Sequence, residues 1–196
     1  MAENRIKSAY ELAMEKIEKM GEATDDERLR WKLVPEGEEL GVKFFEGKTD
    51  LAAEFARYRK EERGYVAEGV QKVLLSRINL PKTDSATQDS EKALEGFAAI
   101  KKDGEGLHEV IDRIGSLFNH YLVHGEQQRE QAHQSLKAEF KRRLQQSARE
   151  MGASVGDIDP ETLPQFREEK RRMRAHLDLQ YISHLDEYKS QLAGLE

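Results

Sequence analysis

Apolar positions recur at helical spacing along nearly the whole chain, and no run alternates at the two-residue period of a strand. Ile6, Ala9, Tyr10, Ala13, Ile17 and Met20 predict a helix over about 5–20. Thr24 and Glu27 have the spacing of a capping box and open a short helix carrying Leu29, Trp31 and Leu33. Pro35 is expected to close that helix and start another, ending near Phe45. Thr49 or Asp50 then caps a longer helix to Ile78, striped by Leu51, Phe55, Tyr58, Val66, Val70, Val73, Leu74 and Ile78. Gly64 and Gly69 weaken its continuity, at about 1 kcal/mol each relative to alanine. Residues 79–88 read as a loop, and Leu94, Phe97, Ala98 and Ile100 as the face of the next helix.

The pattern changes at Leu107. From there to Glu150 apolar residues keep near-heptad spacing without a proline, which predicts a helix roughly 65 Å long. The turn-rich stretch MGASVGDIDPETLP follows, and a second helix from about Gln165 carries Phe166, Met173, Leu177, Tyr181, Leu185, Tyr188, Leu192 and Leu195. Two long amphipathic helices joined by one connector pack side by side. The expected fold is all-α: a small helical head over residues 1–104, then a long antiparallel, coiled-coil-like helical hairpin over 105–196. Around 123–135 the first long helix thins to VHGEQQREQAHQS, a seam expected to flex or hydrate. So narrow a stripe invites a second chain, and a homodimer is an expectation.

Composition sharpens this picture. Hydrophobic residues make up 37% of the chain and charged residues 36%, which suits helices that bury only a stripe. There is no cysteine, so disulfides, thiolate catalysis and thiolate metal sites are excluded. No run approaches the roughly 18 apolar residues of a membrane span, and the N-terminal segment has no apolar signal region. The expected setting is cytoplasmic, with no membrane partner.

The chemistry that can be sought is mostly missing. Gly41 and Gly47-Lys48-Thr49 approach a P-loop, but the glycines are one residue too far apart and enclose Phe44, Phe45 and Glu46. A helix ending at Gly47 accounts for them. No serine elbow is present, and the carboxylates lie on charged helices without an apolar pocket to raise a pKa. The reading is non-enzymatic, with no cofactor. Glu-x-x-His occurs at Glu105/His108 and Glu130/His133, too far apart on one helix to share a metal. If the hairpin turns at 157–158, however, His133 lies level with His184 and Glu130 with Glu187. Those four side chains could then converge on a divalent cation.

Charge is unevenly placed. Residues 137–174 hold ten basic and seven acidic side chains, a local +3 that leaves -9 elsewhere in a chain of net charge -6. Lys141, Arg142 and Arg143 on the way out, and Arg171, Arg172 and Arg174 on the way back, would gather near the hairpin tip. Guanidiniums there could contact RNA phosphates or another partner, although interleaved glutamates usually mean an ion-paired, solvated face. The reading that asks least of the residues is a protein-interaction or scaffold module using the hairpin. An RNA- or ribosome-contacting protein is the alternative, and a metal-binding helical protein a second one.

The stretches NHYLVHGEQQREQAHQSLKAEF and YISHLDEYKSQLAGLE resemble segments of an uncharacterised family of bacterial hypothetical proteins of similar length. The resemblance implies a bacterial source. It assigns no activity and no functional residue.

Overall fold

The computed structural model describes residues 24–101, 104–150 and 159–195, and among these the fold is all-helical. The helix expected over 5–20 lies outside the described residues. Two compact units divide between Val73 and Leu74. The change of pattern at Leu107 therefore falls inside the second unit.

In the first unit, α1 runs from Asp25 to Phe45. Its start is the expected capping box: Glu27 N–H donates to Thr24 Oγ1 (3.2 Å) and Thr24 N–H to Glu27 Oε2 (2.8 Å). Pro35 does not close the helix but sits inside it. An interior proline costs about 3 kcal/mol. Leu33, Val34 and Leu40 are buried on both sides of it, and burying each contributes about 1.5–3 kcal/mol, so an unbroken stripe wins. The helix ends in a Schellman motif at Gly47, whose φ of 69° is left-handed. Lys48 N–H bonds to the Lys43 carbonyl and Gly47 N–H to that of Phe44, both at 3.0 Å. The P-loop-like glycine is thus a helix stop.

The helix expected from Thr49/Asp50 to Ile78 is two helices. Asp50 caps α2, Leu51–Ala56, by accepting from Ala53 N–H at 3.1 Å. The chain then turns before α3, Arg63–Arg77. Arg63 makes the break: its guanidinium donates to the carbonyls of Tyr58 (3.0 Å) and Ala56 (2.8 Å), satisfying groups a continuing helix would have used. Gly69 does not interrupt α3. A Cβ there would lie 2.0 Å from the Val34 carbonyl oxygen, and one at Gly37 would lie 2.2 Å from that of Val66. The two glycines are where α1 and α3 cross in near-backbone contact.

In the second unit, α4 spans Asp84–Ile100 and starts earlier than expected, because Thr83 accepts from Ala86 N–H (3.2 Å) as its N-cap. Buried Ser90 ties the preceding loop to it by accepting from Asn79 N–H at 3.0 Å. α5, Gly104–His120, passes through a π-helical turn, Tyr121–Gly125, into α6, Glu126–Glu150. Asp159 caps a short 3-10 turn, Pro160–Thr162, and α7 runs from Pro164 to Gly194. Contacts descend along α7 as they ascend along α5 and α6. Arg113 Nη1 donates to Gln191 Oε1 (3.3 Å), Tyr121 meets Tyr181 with ring centroids 5.1 Å apart, and Phe140 meets Phe166 at 5.5 Å. Ile114, Phe166 and Leu192 are fully buried along this seam.

Candidate functional site

The seam carries a polar constellation where the sequence pattern is weakest. In the π-turn the backbone ladder lengthens from i+4 to i+5, which rotates the following helix. Tyr121, Gly125 and Arg129 fall at successive four-residue steps and all are buried. Arg129 is thereby turned inward, and its Nη2 donates to the Tyr121 carbonyl at 3.2 Å, supplying a donor where the turn is widened. The guanidinium carbon stands 4.2 Å from the Tyr121 ring centroid, a cation–π contact.

Opposite, α7 presents Asp178, which is 6% exposed. Its Oδ1 accepts from Tyr121 Oη (3.1 Å) and lies 3.8 Å from Arg129 Nη1, while its Oδ2 lies 2.6 Å from Lys82 Nζ. Glu126 closes the other side of Arg129 at 2.8 Å. Burial, and then the Asp178 carboxylate, push the Tyr121 hydroxyl up to about 12. Next to this network His120 Nδ1 bonds with Tyr181 Oη at 3.0 Å. An open cavity of about 640 Å³ lies against Tyr121 and Asp178, with Lys82, Arg171 and Arg174 on its walls.

The residues expected at the basic tip are divided by the structure. Arg143 joins α6 to α7 through both Glu169 oxygens, at 3.2 and 2.6 Å. Arg171 and Arg172 share Glu168 on their own helix, at 2.9 Å each. Lys141 and Arg142 are exposed on α6. Arg174 stands with Arg171 at the cavity.

The four residues expected to converge on a cation do not. His133 lies near Glu130 (3.8 Å), Glu161 (3.5 Å) and the Phe166 ring (5.9 Å), whereas His184 pairs with Glu187 at 3.7 Å. No group of three metal-binding side chains forms among the described residues. The reason is register. A turn centred at 157–158 would set Phe140 opposite His176, but Phe140 meets Phe166.

Arg129, Asp178, Lys82 and Gly125 were not singled out in the sequence. One signal was present: Asp178 lies three residues before Tyr181, on the same stripe as Tyr181 and Leu185.

The described residues thus define an all-helical protein with a buried Arg–Asp–Tyr network in a helix seam, and no helix among them is long and apolar enough to cross a membrane. The chain belongs to a family of unknown function, DUF6657, whose model matches residues 52–194. No curated protein and no solved structure matches it.

Proposed function

We propose that the chain is a non-enzymatic interaction module in which α5–α6 and α7 form a long antiparallel, coiled-coil-like hairpin whose flank docks an amphipathic helix of a protein partner. The observation that carries this reading is a group of exposed apolar side chains beside the Tyr121–Tyr181 contact. Leu122 is 49% exposed, Val123 56%, Leu179 58% and Ile182 38%. Ala175, Leu179 and Ile182 fall at i, i+4 and i+7 on one side of α7, the spacing a docked helix reads. Arg171 and Arg172, next along α7, share the single carboxylate of Glu168 and keep about three quarters of their side chains in solvent. Local charge is therefore positive, and it selects a partner helix whose apolar stripe is edged by Asp or Glu.

The test is retrieval from the native host with nuclease and high salt, using the wild type and a Leu122→Glu/Leu179→Glu variant. The reading predicts one helical protein with an acidic amphipathic segment, retained by the wild type and lost by the variant. Recovery of RNA, or a partner retained equally by both, overturns it. Sedimentation of the pure protein shows first whether a second copy occupies the flank instead.

A further inference from the structure

An open cavity of about 640 Å³ lies against the Tyr121–Asp178 network. We propose that it binds a small organic phosphate monoester, with the phosphate held by Arg129 and Arg174 and the organic body against Pro81, Tyr121 and Leu122.

Donor arithmetic comes first. Asp178 has both oxygens engaged, one by Tyr121 Oη and one by Lys82. The Arg129 side chain is only 9% exposed. Its Nε donates to Glu126 and its Nη2 to the Tyr121 carbonyl, but among the described residues Nη1 makes no hydrogen bond, its approach to Asp178 being 3.8 Å. Nη1 therefore keeps donor capacity for an anion in the open cavity that Arg129 lines. Arg174, on the wall of the same cavity, has no ion-pair partner among the described residues.

Charge and shape narrow the ligand. Four cations (Lys82, Arg129, Arg171 and Arg174) and two carboxylates (Glu126 and Asp178) line the cavity, an excess of two positive charges. A phosphate monoester, carrying about 1.5 to 2 negative charges near neutral pH, balances that excess, and a carboxylate does not. Guanidinium forks match phosphate oxygens in geometry. The volume of about 640 Å³ falls within the range of small-molecule sites, roughly 300–1,000 Å³, and leaves room for an organic body on the apolar wall. Gly125 leaves room for the donor. A Cβ there would come within 3.0 Å of Arg129 Nη1 and 3.2 Å of Tyr181 Oη.

The experiment is calorimetric titration of the full chain with phenyl phosphate, inorganic phosphate and phenol. Phenyl phosphate is expected to bind once per chain, more tightly than inorganic phosphate, and phenol not to bind. Arg174→Gln should weaken phenyl phosphate by roughly tenfold or more, whereas Arg142→Gln, elsewhere on α6, leaves it unchanged. Ala175→Trp, at an exposed position on the cavity wall, should abolish binding without disturbing the seam. No saturable binding of phenyl phosphate in the millimolar range overturns the proposal, as does wild-type affinity in both Arg174→Gln and Ala175→Trp. Affinity for 5′-phosphorylated oligonucleotides that rises with their length also overturns it, by marking a polynucleotide surface.

Discussion

Replacing Asp178 by alanine removes the acceptor of Tyr121 Oη and the carboxylate beside Lys82 and Arg129. Breaking a buried pair from one side costs about 3–5 kcal/mol, because the partner charge stays behind. Lys82, half exposed at 51%, can turn to water, so Lys82→Met should cost about 1 kcal/mol or less. Urea unfolding distinguishes the two, and an Asp178→Ala shift as small as about 1 kcal/mol would show that the buried pair carries no stability of its own. Tyr121 sets the pH behaviour. Its folded pKa is raised, so the folded state holds the phenolic proton more tightly than the unfolded chain. That contribution is complete below about 10 and is lost as pH climbs from there to about 12. Tyr121→Phe should flatten the fall of the urea midpoint over this window, and an unchanged slope would mean the proton is released as easily in both states. None of this was legible from residue type alone. Arg129 stands among glutamines and glutamates at 126–131 and reads as solvated, and only the π-turn aims it inward.

At the scale of the element, glycines carry opposite meanings that the sequence does not separate. Gly69 meets the backbone of α1, whereas a Cβ at Gly64 meets nothing within 4 Å. Gly69→Ala should therefore lose about 2 kcal/mol or more by forcing α1 and α3 apart, against a helix-propensity gain of about 1 kcal/mol. Gly64→Ala keeps the gain alone and should stabilise by up to about 1 kcal/mol. Thermal unfolding of the two variants reads the difference, and a Gly69→Ala protein as stable as the wild type contradicts the crossing. Caps were legible because they are local: Thr24 with Glu27, and Asp50. Pro35 and Arg63 were misleading or silent because long-range burial decides the first and a side chain reaching backward decides the second. The helix–helix register was not legible, since it depends on the length of the turn, which pattern does not measure.

For the whole molecule, helical periodicity carried the all-helical class, and the absence of cysteine removes thiol chemistry. The basic cluster was visible as composition, but its use was not. The structure spreads it over an inter-helix pair at Arg143, a shared glutamate at Arg171 and Arg172, and a cavity wall at Arg174. On the proposed reading the apolar flank holds the partner and the arginines only orient it. The measurement that separates these roles most directly is the affinity of the recovered partner across a salt series, for the wild type and for an Arg171→Glu/Arg172→Glu variant. The account predicts a shallow salt dependence and a modest loss in the arginine variant, with binding abolished by Leu122→Glu/Leu179→Glu. A slope of about 0.7–0.9 log units per contact, abolished with the arginines and indifferent to the leucines, would contradict it and assign the surface to a polyanion.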